Sequence, residues 1–188
     1  MCGGEGGKLM KEGKATWWCD SEKIWREGKF YSNEGFVKIL KDGGYLENIL
    51  KGITHMVWTG GEPTLESHRK SIIDFIDYMD VHYPDNEIYS EIETNGTVDV
   101  GEDFYHDYIN QINCSPKLAN SGIKKSKRIV PQSINAIMQH SDYYFKFVIS
   151  DEEDIKEIKR DYIEPFNIPA TNIIIMPGVD NRNDLSER

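Results

Sequence analysis

Apolar and polar positions change period several times along the chain. From Thr54 the short apolar run "THMVW" ends in Gly60 and Gly61 and predicts a strand. Leu65, Ile72, Ile73, Ile76, Met79 and Tyr83 then recur at helical spacing, and Pro84 ends that helix. Between Glu87 and Gly96, the residues Ile88, Ser90, Ile92 and Thr94 fall at every second position, as in a strand. A short strand follows around Ile109 to Cys114. Pro131 to His140 reads as a helix with proline in its first turn. "YYFKFVIS" reads as a strand. "DEEDIKEIKRDYIEPF" reads as one helix whose acidic first turn complements its dipole. "TNIIIMPG" closes the series as a strand.

Strands that alternate with helices predict an α/β fold, a sheet or partial barrel of parallel strands, in one domain spanning 1–188. The chemically distinctive stretches "TGGEPT", "ETNGT", "CSPK" and "MPG" all fall at or just past the C-terminal ends of predicted strands. In parallel α/β folds that rim is where chemistry is done. Any one of these stretches is explained by a turn. Four on one rim are not explained by packing.

Composition narrows the classes. The net charge of −10 argues against nucleic acid held by phosphate contacts. The basic stretch "KKSKR" (Lys124 to Arg128) reads as a solvated loop or an anion contact. No apolar run approaches the roughly 18 residues of a membrane span, and "MCGGEGGK" lacks the apolar core of a signal peptide. Three cysteines do not make a complete disulfide framework. Cysteines beside glycines in a reducing compartment read as metal-binding or catalytic, which places the protein in the cytoplasm.

Cys2 and Cys19 stand with a glycine-rich loop between them. Two buried small hydrophobes and thiolate ligands both remain open readings. Zinc is disfavoured, because the paired Cys/His spacing it uses is missing. A cluster held by three cysteines leaves one iron open to a substrate atom, yet Cys114, the third cysteine, sits on a separate strand end. The loop is no phosphate cradle, since neither G-x-x-x-x-G-K-[ST] nor G-x-G-x-x-G after a strand occurs. At the rim, Glu62 offers a carboxylate for an ammonium, Glu93 and Asn95 a carboxylate and an amide, and Ser115 and Lys117 a hydroxyl and an ammonium. That set suits a zwitterionic ligand carrying ribose and adenine.

The ordered stretches "WWCDSE", "WTGGEPTL", "ETNGT", "CSPKLANSG", "KFV" and "IIIMPG" together resemble the radical S-adenosylmethionine enzymes, and among them the 7-carboxy-7-deazaguanine synthases, over about residues 2 to 185. "GGEP" is shared widely in that superfamily; "SPKLANSG" after "ETNG" is more specific to the synthases. The resemblance implies a radical S-adenosylmethionine core. It implies a [4Fe-4S] cluster with Cys2 and Cys19 as two of its three ligands, and 3–18 as an insertion in the cluster loop. Gly60, Gly61 and Glu62 would bind the methionyl amino group. Glu93, Asn95, Ser115 and Lys117 would contact S-adenosylmethionine or a pterin substrate, with Glu93 and Lys117 as the catalytic candidates. Met176 and Pro177 would border the adenine, and Ser21 would bind Mg2+ near the substrate carboxylate. Cys114 reads as a strand residue, and Trp17, Trp18, Trp25 and Trp58 as core and cluster-shielding aromatics.

The implied reaction converts 6-carboxy-5,6,7,8-tetrahydropterin to 7-carboxy-7-deazaguanine, with a flavodoxin or ferredoxin as electron donor. The family's first cysteine, its N-terminal strand and its C-terminal strand and helix have no counterpart, so the resemblance is to a piece clipped at both ends. Exposed sheet edges then predict aggregation or its rescue by self-association, a homodimer among the forms. Two other readings stay open: a different radical enzyme, such as a glycyl-radical activase, and a non-catalytic fragment that keeps the fold.

Overall fold

The structure is a computed structural model that describes residues 7–17, 19 and 27–178. Five strands form one sheet: β1 (Met56–Trp58), β2 (Ser90–Thr94), β3 (Gln111–Cys114), β4 (Tyr143–Ile149) and β5 (Ile173–Pro177). Every neighbouring pair is parallel, and spatial order follows chain order without reversal. Crossovers between parallel strands are right-handed, so a sheet wound in one direction carries its helices on one face. The result is the expected partial (β/α) barrel.

The helices are α1 (Lys8–Lys11), α2 (Asn33–Asp42), α3 (Leu46–Leu50), α4 (Glu66–His82), α5 (Asp103–Tyr108), α6 (Lys125–Arg128), α7 (Pro131–Gln139), α8 (Glu152–Ile158) and α9 (Glu164–Phe166). Among the described residues, no helix is long and apolar enough to cross a membrane. The Ser32 hydroxyl starts α2 by accepting from the Gly35 N–H at 3.1 Å, and the Asp151 carboxylate starts α8 by accepting from the Glu153 and Asp154 N–H groups.

The alternation in β2 is realised: Ser90, Ile92 and Thr94 are buried, while Glu91 and Glu93 are half-buried. Ile92, Ile112, Cys114, Phe145 and Phe147 form the helix-facing core with Tyr105, Ile134, Ile137, Ile158 and Tyr162. Each fully buried aromatic or aliphatic side chain there contributes about 1.5–3 kcal/mol. A smaller cluster joins Val37, Leu46 and Ile49 to Phe75 and Met79. The buried stripe of α4 is Ile72, Phe75 and Met79, whereas Leu65 is exposed before its first turn. That corrects the stripe expected from sequence by bringing in Phe75.

Two further expectations change. The predicted single helix over 151–166 is interrupted by a π turn, Lys159–Ile163. Pro165 has no N–H to give, and its ring clashes with the carbonyl four residues back, so uniform α winding is disfavoured here. The "KKSKR" stretch is not wholly a solvated loop. It forms α6, and Arg128 is buried.

The π turn also buries Asp161 between two cations. Its carboxylate accepts from Arg160 and from Lys125. The Arg160 hydrogen bond, with the Lys125 contact and charge behind it, outweighs burial and holds the Asp161 pKa down from 3.8 to about 2. A carboxyl with a depressed folded-state pKa stabilises the fold above its unfolded value and loses that contribution as pH falls through the folded one. The gain is at most about 2 kcal/mol, because both cations are exposed and screened. In urea melts, the wild type's advantage over Asp161→Asn will be full above pH 4 and will close towards pH 2.

Candidate active site

The face of the sheet opposite the helices is polar. Glu91, Glu93, Asn113 and Lys146 project from it and bond to one another. Asn113 Nδ2 donates to Glu91 Oε2 at 3.0 Å, and Lys146 Nζ lies 3.2 Å from Glu93 Oε1. At the C-terminal ends of the strands this face opens into a cavity of about 850 Å³. Its walls include Gly60, Gly61, Glu62, Glu93, Asn95, Ser115, Lys117, Met176 and, from the N-terminal segment, Trp17 and Cys19. Four strand ends and one loop thus meet at a single space, of a size suited to a cofactor-sized ligand.

Glu62 is the most heavily bonded side chain of the rim. Its Oε1 accepts from the Thr64 N–H at 3.1 Å, the Thr64 hydroxyl at 2.5 Å and the Thr94 hydroxyl at 2.6 Å. Its Oε2 accepts from the Asn95 N–H at 2.8 Å. A carboxylate has about four lone-pair positions, two on each oxygen. Oε1 is saturated and Oε2 keeps one position open. The residue is buried yet lines the cavity. Gly60 and Gly61 both hold positive φ, 83° and 60°, a backbone path that side-chain-bearing residues seldom take. His68 Nδ1 lies 2.9 Å from the Glu62 carbonyl. A carbonyl only accepts, so Nδ1 carries the proton, and His68 forms part of the cavity wall.

Glu93 is held from two sides, by the Thr59 hydroxyl at 3.2 Å and by Lys146. The Asn95 side chain accepts from the N–H and hydroxyl of Thr97. Lys117 Nζ donates to Ser115 Oγ at 3.3 Å and sits 5.6 Å from the Trp17 ring centroid, within cation–π range. Behind Lys117 a buried pair fixes its backbone. Arg128 Nη1 lies 2.6 Å from Glu157 Oε1 and donates to the Lys117 carbonyl, which also accepts from Tyr162.

Pro177 ends β5 outside the cavity wall, while Met176 lines it. Cys114 is fully buried on the helix-facing side, and burial pushes its thiol pKa well up. Its sulfur lies where a Cβ on Gly96 would come within 2.7 Å, so Gly96, with φ of 70°, has both space and backbone reasons to be glycine. Cys2, Ser21, Trp18 and Trp25 lie outside the described residues. The cavity-lining residues Lys146 and Asn113 had not been singled out, and Lys127 and Arg128 had been read only within a basic stretch taken as a solvated loop or an anion contact. For Lys146 a signal existed: a lysine between Phe145 and Phe147 must project from the face opposite the core.

Neither a protein-family model nor a curated protein matches the chain. Among solved structures, the crystal structure of QueE from Escherichia coli matches it with a TM-score of 0.51 and 18% identity, over 90% of this chain and 73% of QueE. The chain has the QueE fold. The likeness is one of architecture. As for an iron–sulfur cluster, Cys19 is the one cysteine among the described residues that reaches the cavity, and no group of three metal-ligating side chains converges among them. The described residues therefore fit one ligand of such a cluster and leave its other ligands to be supplied from outside them.

Proposed function

We propose that the chain is a radical S-adenosylmethionine enzyme that converts 6-carboxy-5,6,7,8-tetrahydropterin to 7-carboxy-7-deazaguanine with loss of ammonia. One observation carries the reading. Nine of the residues that the motif resemblance selects from the sequence, among them Cys19, Glu62, Glu93 and Lys117, line one cavity in a barrel of the QueE fold. The cluster and S-adenosylmethionine together supply the radical chemistry, abstraction of a hydrogen atom from the pterin.

The chain's own residues bind and orient. The open position on Glu62 Oε2 takes the methionyl ammonium, a charge-assisted hydrogen bond. Gly60 and Gly61 let the ligand approach the backbone. Lys117 and Ser115 hold polar groups of the cofactor or the pterin, and Met176 covers the adenine. Glu93, already fixed by Thr59 and Lys146, faces the pterin. Cys19 and Cys2 are cluster ligands, and Ser21 binds Mg2+. A flavodoxin or ferredoxin donates the electron.

The test is reconstitution with iron and sulfide under anaerobic conditions, then measurement of 5′-deoxyadenosine release with and without the carboxypterin. Pterin-dependent release, lowered by roughly 10²-fold in Lys117→Ala, is the expected result. Release that requires an added protein instead would point to an activase. A protein that takes up no iron would refute the enzyme reading.

A further inference from the structure

The loop after β3 carries more than Lys117. Three residues on, Asn120 engages its carbonyl and both ends of its side-chain amide with other parts of the chain. Its carbonyl accepts from the Thr16 N–H at 2.9 Å, and its Oδ1 accepts from Trp17 Nε1 at 3.1 Å. Its Nδ2 donates to Asp154 Oδ2 at 2.9 Å, and the same carboxylate oxygen accepts from the Ser150 N–H at 2.7 Å. Asp154 is buried in the first turn of α8. Asn120 thus ties three separate stretches together: the N-terminal segment, the β3 loop and the β4–α8 junction.

The neighbouring backbone repeats the pattern. Gly122 has φ of 73°, and a Cβ there would come within 2.9 Å of the Lys14 carbonyl and 3.1 Å of the Ala15 Cβ. Segment 14–17 is therefore laid closely along 120–122. Ala15 is buried, although it belongs to no helix or strand. Two residues beyond the Trp17 contact the chain reaches Cys19 at the cavity.

We infer that Asn120 is a positioning residue, a latch that docks the segment ending in Cys19 onto the rim and so sets where that thiol stands. The latch itself follows from contacts within the polypeptide. Its purpose, presenting a cluster ligand, rests on the function proposed above. Asn120 has the right chemistry for the task because an amide both donates and accepts. One side satisfies a buried carboxylate while the other takes an indole N–H. Aspartate would keep the acceptor and set two carboxylates against each other.

The experiment uses the metal-free full chain. Alkylation of Cys19 by N-ethylmaleimide is followed by peptide mass spectrometry in the wild type, in Asn120→Ala, in Asn120→Asp, and in Asn120→Asp combined with Asp154→Asn. Losing the latch should make Cys19 react about fivefold faster in both single variants. The combined variant moves the amide to the other side of the same hydrogen bond but turns an NH2 towards the Ser150 N–H, so it should return the rate part of the way to the wild-type value, below either single variant. A merely structural role for Asn120 would not be rescued in that way. Unchanged Cys19 labelling in a folded Asn120→Ala would overturn the inference. Should the variants fail to fold, amide exchange in the wild type decides: protection of the Thr16 N–H supports the latch, and free exchange refutes it. Iron uptake by the wild type reads the enzyme proposal separately, so either idea can fail without the other.

Discussion

Glu62→Ala will lower the melting temperature by about 4–10 °C and abolish binding of S-adenosylmethionine. The alanine removes the acceptor for two backbone N–H groups and two hydroxyls. Leaving buried donors unpaired costs about 1–3 kcal/mol for each group that water cannot reach. In a chain of this size each kcal/mol moves the midpoint by about 2–4 °C. Glu62→Gln separates the two roles. It keeps an oxygen for Thr64 and Thr94 and places an NH2 against the Asn95 N–H, so it loses less stability. It has no charge for an ammonium, and binding should weaken at least about tenfold. Melts followed by circular dichroism and calorimetric titration with the cofactor read both effects. Wild-type affinity in Glu62→Gln would mean that another group receives the ammonium.

The second large effect lies behind Lys117. Arg128 and Glu157 are 5% and 7% exposed and 2.6 Å apart. Taking away one partner leaves the other charged and buried, a loss of about 3–5 kcal/mol. Arg128→Met and Glu157→Gln should each melt roughly 6–20 °C lower. Combined, they remove both charges, and stability should recover to within a few degrees of the wild type. The cavity should not recover. Arg128 also donates to the carbonyls of Lys117 and Ile123, and Glu157 accepts from the Ala119 N–H. The double variant is therefore expected to fold well and to show a raised KM for S-adenosylmethionine or the pterin. A double variant that melts below both singles would show that the pair does not act as a compensated unit.

β2 was legible because it carries a period that one face enforces, and β1 and β5 because they are short apolar runs closed by glycine or proline. Ile88, Ser90, Ile92 and Thr94 are all buried, and the motifs at the strand ends therefore land on one rim. The five parallel neighbours follow from the alternation of strand and helix. The rest was hidden for identifiable reasons. Helix α2 contains Gly35 and ends at Gly43, both of which weaken a propensity signal. Helix α5 has six residues, too few to establish a period. Arg128 looks like one of several solvated cations until the fold brings Glu157 to it from a distant helix, a contact that no local pattern encodes. The same is true of Asn120. Its motif marked the rim, while its three partners lie on segments remote in sequence.

A π turn holds one residue more than the α turn it replaces, and each helical residue turns the chain by about 100°. Tyr162 reaches the Lys117 carbonyl, and Ile158 reaches the core, only because both sides of that extra residue are wound to fit. Deleting any one residue between Lys159 and Ile163 would turn the chain beyond it by about 100° and swing one of these contacts away. The position of a rim lysine is thus set by the length of a distant helix, and this stretch tolerates exchange of side chains better than any change in their number.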